Sequence, residues 1–360
     1  MKETVGIGII GTGFAKTVQI PSFLAAGHAG VVSIASGSIE NAESAARQFS
    51  IGHFTDDWRE TVQNDAVDLV CITTPPDLHK DMTLLALEHG KHVLCEKPMA
   101  LNVAEAEEMT SAAKAAGVLV LIDHELRFQP GRQLAFHMIR DGVIGRIRHA
   151  RYTFEASHRG DPAVAWNWWS DADRGGGALG AINSHIIDSF NWFLGSEINE
   201  VYCQLQTNIK ERPDPDGRLR PVSSDDQANM LLRFADGETT SDATGLVSVS
   251  MTDGTGYKNR IEFFGDKGAM QIDYRGAIKI SERGETEWTD VDTDLGEPLE
   301  GVGDTGFSRG FLQFASRIIE AIRSGAGSVE MAATFDDGLK VQRVLDAARR
   351  SNEGGCAVSL

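Results

Sequence analysis

Between Val5 and Asp123 the chain alternates short apolar runs with amphipathic segments, and this alternation narrows the fold more than any other feature. Val5 to Ile10, Val31 to Ala35, Val67 to Thr74, Lys91 to Glu96 and Val118 to Asp123 read as strands. Near-continuous hydrophobicity, rather than one apolar residue in two, marks strands covered on both faces of a parallel sheet. Between them, Asn41 to Phe49, Asp56 to Gln63, His79 to Glu88 and Asn102 to Ala116 read as helices. Gly90 closes the third, and an Asn102/Glu105 capping box and Gly117 frame the fourth. Strand–helix alternation of this length predicts a doubly wound α/β sheet.

Open sheets of this kind bind ligands at the carboxyl ends of their strands. The first strand ends at Gly11-Thr12-Gly13-Phe14-Ala15-Lys16. A search for GxGxxG also matches Gly6, Gly8 and Gly11, but the first two lie inside the strand, whereas phosphate-binding glycines belong in the turn after it. The working loop is Gly11-x-Gly13: one glycine permits the tight turn, the other lets backbone approach a pyrophosphate. Lys16 replaces the third glycine, and a plain strand-to-helix turn would use the same residues. The second strand ends in Ser36-Gly37-Ser38. A site that selects NAD usually places an acid there, on the ribose hydroxyls. None stands at these positions, and Glu40 comes slightly late. That leaves room for a 2′-phosphate, although no arginine is there to hold one, so the cofactor reading is NAD or NADP with a lean to NADP. A third strand end carries Cys95-Glu96-Lys97-Pro98-Met99-Ala100. Pro98 restricts Lys97 to extended geometry and so aims its ammonium. Such a lysine exchanges protons when its surroundings lower its pKa. The same residues also describe a surface lysine after a strand.

The pattern changes near residue 124. Pro130 to Arg140 reads as a helix, Arg146 to Ala156 as a long alternating strand, Leu179 to Leu194 as an apolar-faced helix ending at Gly195, and Val201 to Thr207 as a strand. From Gln227 to Trp288, strands separated by Ala235-Asp236-Gly237, Gly265-Asp266-Lys267-Gly268 and Arg283-Gly284 predict an antiparallel meander. Lys210 to Ser224, rich in Pro, Asp, Gly and Arg, reads as an exposed, mobile loop. Phe307 to Arg323 and Phe335 to Arg350 read as amphipathic helices. The expectation is α/β: a Rossmann dinucleotide-binding domain over 1–124, then an α+β domain over 125–360 with a large, mostly antiparallel open sheet. The last helix is expected to pack back on the first domain.

A formal charge of -18 argues against nucleic acid and anionic membrane as partners. The four cysteines, Cys71, Cys95, Cys203 and Cys356, have no metal or redox spacing. They fit a reducing cytoplasm. Met1-Lys2-Glu3 leads straight into a strand and predicts no signal peptide, and no apolar run is long enough for a bilayer.

Taken together, GIIGTGFA near the start, TTPPDLH at 73–79, CEKPMA at 95–100, GVIGRIRHARY at 142–152, GGGALGAINSHIIDSFNWFLG at 175–195 and the terminal TFDDGLKVQRVLDAARRS resemble the glucose–fructose oxidoreductase / inositol dehydrogenase (Gfo/Idh/MocA) family over essentially the whole chain. The resemblance implies that Lys97, from the Glu-Lys-Pro motif, contacts substrate and nicotinamide ribose, and that the Lys97–Pro98 peptide is often cis. It implies that His185 matches the histidine of the Asp-x-x-x-His site, an acid/base or substrate orienter. Ala181 stands where the family's aspartate belongs, and Asn183 replaces a frequent glycine. A family subset with Leu-Gly-Ala-x-x-Ser-His shares that loss, which leaves Lys97 and His185 as the proton-handling candidates.

On helical spacing, 181, 185 and 188 share a face. His185 then faces a cleft with Asp188 nearby, or is a core histidine satisfied by Asp188. A zinc site from His124, His185 and Asp188 has no ligand-spacing motif behind it, and no metal is expected. Trp166, Trp168 and Trp169 either wall a sugar-sized substrate with aromatic faces or form core. Arg127 and Arg174 are cationic candidates for substrate oxygens or cofactor phosphate. Cofactor contacts are expected at Gly11, Thr12, Gly13, Phe14, Ala15, Ser36, Gly37, Ser38, Thr73, Thr74, Pro75, His79, Glu96 and Lys97. Substrate contacts are expected at Arg127, Trp168, Trp169, Asn183 and His185. The expected function is NAD(P)-dependent hydride transfer at a carbinol/carbonyl carbon of a sugar, cyclitol or related polyhydroxylated compound, by a homodimer or homotetramer. Two alternatives stay open: an enzyme that retains NAD through a non-redox elimination or hydrolysis, and a non-catalytic dinucleotide- or sugar-binding regulator.

Overall fold

The computed structural model describes residues 3–253 and 256–360. Met1 and Lys2, on which the signal-peptide expectation rests, lie outside them. The chain forms two compact units, one made of Met1–Gln129 and Gly296–Leu339, the other of Pro130–Leu295 and Lys340–Leu360.

In the first unit, strands β1 (Val5–Ile10), β2 (Ala29–Ala35), β3 (His53–Thr55), β4 (Leu69–Ile72), β5 (His92–Cys95) and β6 (Val120–Ile122) stand in the order β3-β2-β1-β4-β5-β6. All pair in parallel. This is the strand order of a Rossmann sheet. β1 and β4 are buried along their whole length, as their unbroken apolar sequences require. The crossover helices are α1 (Ile20–Ala25), α2 (Ile39–Phe49), α3 (Trp58–Gln63), α4 (His79–Glu88) and α5 (Val103–Ala116). Asn102 Oδ1 caps α5 by accepting the Glu105 N–H at 3.0 Å. The Glu105 carboxylate reaches past Asn102 to the Leu101 N–H at 3.1 Å, so the capping box is displaced by one residue.

The expected division at 124 differs from the observed one at Gln129, and it assigns 296–339 to the other half. The helix Gly306–Ser324 buries Phe311, Phe314, Ala315 and Ile318 in the core of the first unit with Ile7, Ile9, Phe23 and Leu94. Phe314 stacks on Phe128 with ring centroids 4.3 Å apart. The strand Ala333–Thr334 then joins β6 antiparallel. Amphipathic periodicity shows which face of a helix is apolar, not which of two cores receives it. Only the first turn of the last helix, Phe335–Gly354, is counted with this unit.

The second unit contains α6 (Pro130–Arg140), β7 (Ile147–Glu155), α7 (Ser184–Leu194), β8 (Ile198–Gln206), β9 (Glu211–Pro213), β10 (Leu219–Pro221), β11 (Gln227–Phe234), β12 (Thr240–Ser250), β13 (Lys258–Gly265), β14 (Gly268–Asp273), β15 (Ile278–Glu282) and β16 (Thr289–Asp290). Its large sheet runs β16-β15-β14-β13-β7-β12-β11-β8 and ends on Val358–Ser359. Neighbours are antiparallel except β7 and β12. Phe190 and Phe193 of α7 pack against Tyr152, Phe234 and Phe263 on one face. Residues 210–224, read from sequence as a mobile loop, hold the β9–β10 hairpin instead. Arg212, only 1% exposed, anchors it by donating to the carbonyls of Asp161 and Arg159. Composition reports turn residues but not a buried guanidinium that finds carbonyl partners across 50 residues of chain.

Candidate active site

The carboxyl edge of the first sheet gathers most of the expected cofactor residues. β1 delivers Gly11 with φ +102°, a left-handed region that favours glycine. A Cβ there would lie 2.4 Å from the Thr73 carbonyl oxygen, so the turn after β1 rests directly on the turn after β4. Beside Gly13 the space is open: among the described residues, apart from Gly13 and its chain neighbours, no atom lies within 4 Å of where a Cβ would stand. Bare backbone therefore faces free space, as a bound diphosphate needs. Thr12, Phe14 and Lys16 are half-buried, and Ala15 is buried. After β2, Ser36 and Ser38 are half-buried and Gly37 is exposed. Ser38 Oγ caps α2 and donates to Glu40 Oε2 at 2.5 Å. That hydrogen bond holds the Glu40 carboxyl below the usual range.

Two further strand ends converge through a histidine. His79 is fully buried, with Nδ1 at 3.0 Å from the Pro98 carbonyl and Nε2 at 2.9 Å from the Thr74 carbonyl. Burial pushes its pKa down, against the pull of those carbonyls. His79 thus ties the Thr73-Thr74-Pro75 turn to the turn of Lys97, whose peptide bond to Pro98 is cis. Its contribution to a cofactor site runs through these two turns, both ring nitrogens being engaged by backbone. Lys97 itself is half-buried. The Glu96 Oε2 atom accepts the Lys97 N–H at 3.2 Å.

Below Lys97 lies a cluster that the sequence reading missed. Gln19 Nε2 donates to Asp123 Oδ2 at 2.8 Å and to Glu96 Oε1 at 3.3 Å. Thr73 Oγ1 donates to Gln19 Oε1 at 3.4 Å. Burial raises both carboxyl groups; Glu125 and Glu96 add to the rise at Asp123, and Lys97 opposes it at both. Asp123 ends the last parallel strand, so the carboxyl-edge rule could have found it. Arg127, expected at the substrate, is also buried: it donates to the Met331 carbonyl at 3.4 Å and lies 3.7 Å from Asp337 Oδ1. It holds the returning segment of the first unit, a long-range partner that no local pattern announces.

In the second unit the expected substrate residues lie on the segment leading into α7. Gly176 packs under the tryptophans: a Cβ there would meet the Trp169 carbonyl oxygen at 2.5 Å and that of Trp168 at 2.7 Å. Trp168 and Trp169 are half-buried, and the Arg159 guanidinium covers the Trp169 ring at 4.2 Å. Arg174 closes a short 3-10 turn. Leu179–Asn183 is a π-helical turn that runs into α7. The α-helical face assumed for 181, 185 and 188 therefore breaks at Ala181. Asp225 pins this turn, its Oδ2 accepting the Leu179 N–H at 2.7 Å and its carbonyl the Ala178 N–H at 3.0 Å. Asn183, His185 and Asp188 are all buried, with Asn183 at 0% exposure.

Arg132, another residue the sequence reading missed, fixes the next turn of α7. It donates to Ser189 Oγ at 2.9 Å and to the Tyr152 hydroxyl at 3.0 Å, and Ser189 Oγ donates to the His185 carbonyl at 2.6 Å. Among the described residues, no group of three or more His, Cys, Asp or Glu is arranged to hold a metal ion.

Known proteins share this fold. A model described as oxidoreductase family, NAD-binding Rossmann fold, matches residues 5–124, and the GFO/IDH/MocA C-terminal domain matches 133–271. Levoglucosan dehydrogenase of Pseudarthrobacter phenanthrenivorans is 31% identical, with 96% of this chain and 95% of that protein covered. Among solved structures, an oxidoreductase domain protein from Kribbella flavida superposes with a TM-score of 0.87 at 31% identity, over 99% of both chains. A levoglucosan dehydrogenase in complex with NADH and levoglucosan gives a TM-score of 0.87 at 28% identity, again over 99% of both chains.

Proposed function

We propose that this chain, which belongs to the GFO/IDH/MocA oxidoreductase family, interconverts a carbinol and a carbonyl on a cyclic polyhydroxylated compound, a sugar, anhydrosugar or cyclitol, using NAD(H). That it is a nicotinamide-dependent dehydrogenase of CH–OH groups follows from its family and relatives. The observation that carries the finer reading is Lys97 at the carboxyl end of β5, in the same edge as the Gly11–Gly13 loop. The nicotinamide, when bound, accepts or supplies the hydride. Gly11, Thr12, Gly13, Phe14 and Ala15 would hold the diphosphate, Ser36, Gly37 and Ser38 the ribose of the adenosine, and Thr73, Thr74, Pro75 and Glu96 the nicotinamide side. Loss of hydride from an alcohol carbon requires the hydroxyl proton to leave as well. Lys97 and His185 are the groups we assign to hold that proton.

The choice of NAD over the NADP suggested by the sequence rests on Glu40. Its anionic carboxylate at the start of α2 suits ribose hydroxyls and repels a 2′-phosphate. Asn183 supports a polyhydroxylated substrate. Its amide is fully buried, with no hydrogen-bond partner among the described residues. Such a group is costly unless a ligand completes it. Trp168 and Trp169 supply aromatic faces for a sugar ring. The uncovered face of the large sheet, where Tyr202, Leu231, Leu246, Arg151 and Glu262 stand in register across five strands, is our site for a homodimer or homotetramer contact. Leu231 is 55% exposed there. The free thiols of Cys71, Cys95, Cys203 and Cys356 suit a reducing cytoplasm.

The test is a titration with NADH and NADPH followed by nicotinamide fluorescence, after identifying any nucleotide that co-purifies, then polyol oxidation by the wild type and Lys97→Met. NADH should bind at micromolar concentration and ahead of NADPH. K97M should bind it too and lose turnover about a thousandfold. A nucleotide that never exchanges would favour the non-redox enzyme, and normal turnover by K97M would overturn the assignment.

A further inference from the structure

We propose that Glu96 and Asp123 hold a single proton between them and that, as a pair, they are positioning residues for Lys97, setting one negative charge beside it rather than two. The inference rests on the hydride-transfer reading above and deepens its proton step.

The geometry begins with the sheet. β5 and β6 are neighbours with Cys95 opposite Ile122, so the next residues, Glu96 and Asp123, leave the sheet side by side. The Asp123 N–H is bonded to the Cys95 carbonyl at 2.8 Å, which fixes that alignment. One amide nitrogen, Gln19 Nε2, then serves both carboxyl groups. The shared donor, at 2.8 Å from Asp123 and 3.3 Å from Glu96, gathers both carboxyl groups into one buried site.

The surroundings set the count of one proton. Asp123 is 0% and Glu96 9% exposed. Among the described residues, the titratable groups that bear on the pair include Lys97, Glu125 and the thiols of Cys71 and Cys95. Burial keeps both thiols protonated, and Gln19 is neutral. Lys97 is therefore the one cation in that set, with Glu125 a further acid. Two buried like charges so close do not ionise together, and the pair titrates as a unit.

The consequence falls on Lys97. In oxidation, the hydride would leave for the nicotinamide that the site would hold, the O–H proton would pass to Lys97, and the C=O bond would form. The ammonium then releases that proton to solvent. The carboxyl pair keeps its own proton throughout. A single charge spread over two groups holds the Lys97 side chain in place with one negative charge beside it rather than two.

Two isosteric variants test this. Asp123→Asn confines the charge to Glu96, which adjoins Lys97, so the acidic limb of kcat/KM for polyol oxidation should move up by about one pH unit. Glu96→Gln moves the charge to Asp123 on the neighbouring strand, and the limb should move down. Infrared spectra of the wild type at neutral pH should show the carbonyl stretch of a protonated carboxyl, sensitive to deuterium exchange and missing from both variants. Limbs that move in the same direction or stay still, or a wild-type spectrum without that band, would overturn the proposal. The wild-type spectrum decides the pair even where a variant does not fold. Should no polyol be turned over, the hydride-transfer reading falls while the spectrum still answers for the pair.

Discussion

Replacing Asp225 by Asn should change how the stability of this protein depends on pH, by an amount the structure allows to be worked out. Asp225 lies beneath the π-helical turn that leads to His185, with Oδ2 on the Leu179 N–H at 2.7 Å. Burial is the main cause that moves its pKa from the ordinary 3.8 to about 6, against the Leu179 N–H and Arg349, which lower it, and with Asp226, which adds to the rise. The folded chain thus binds the Asp225 proton more tightly than the unfolded chain does. Its stabilising contribution is full below the unfolded value and is lost as pH rises through about 6. A displacement of this size is worth about 3 kcal/mol in all, of which roughly half is lost between about pH 5 and 7.5. Asn keeps the shape and an acceptor oxygen for Leu179 but carries no charge. The stability of D225N minus that of the wild type should therefore rise by about 1.5 kcal/mol over that interval. Urea unfolding at a series of pH values, with slopes shared between the two proteins, measures the difference directly. Parallel pH curves would refute the reasoning, because they would mean that Asp225 ionises equally easily in the folded and unfolded chains.

Two other substitutions probe the first sheet's edge. Gly11→Ala places a Cβ 2.4 Å from the Thr73 carbonyl oxygen at φ +102°. Backbone meets backbone there, so the expected cost is about 1–3 kcal/mol, with NADH affinity down about tenfold or more. A thermal melt and a fluorescence titration check both. Glu40→Arg exchanges an anion for a cation beside Ser38 and should raise NADPH affinity relative to NADH by about tenfold. An equal loss for both cofactors would remove Glu40 from the ribose site.

The parts of the fold that were legible in the sequence share a physical reason. β1, β4 and β5 are buried on both faces, so their apolar runs stand out without any partner being known. β3 is three residues long and partly exposed, and Ala333–Thr334 is two, so neither carries a hydrophobic signal. Lys97 and the Gly11–Gly13 loop were legible because a strand end is a chemical address, independent of what folds over it. Arg127 shows the opposite case. An arginine in a loop looks available until a segment two hundred residues away brings Met331 and Asp337 to it. Arg132, Arg212 and Asp225 were missed for the same cause, since each is a buried polar group whose partners are remote in the chain.

The π-helical turns explain the remaining misreading. One turn, Ala15–Gln19, precedes α1, and another, Leu179–Asn183, precedes α7. Both end in an amide side chain that is almost wholly buried, Gln19 at 1% and Asn183 at 0% exposure. A π-turn inserts one residue into the helical repeat and so rotates the residues on its N-terminal side by about 100° relative to the helix on its C-terminal side. Pattern reading with a period of 3.6 loses phase at that point. It placed Ala181 on the face of His185 and so read the missing aspartate as a loss from that face. In the structure Ala181 lies inside the turn, which ends on the buried Asn183. The same rotation in the first helix carries Gln19 to Glu96 and Asp123, where a regular helix after a glycine loop would present only its cap. Both amides thus arise where the helical repeat is broken, and in the first case the structure shows the result, Gln19 bonded to the carboxyl groups of Glu96 and Asp123.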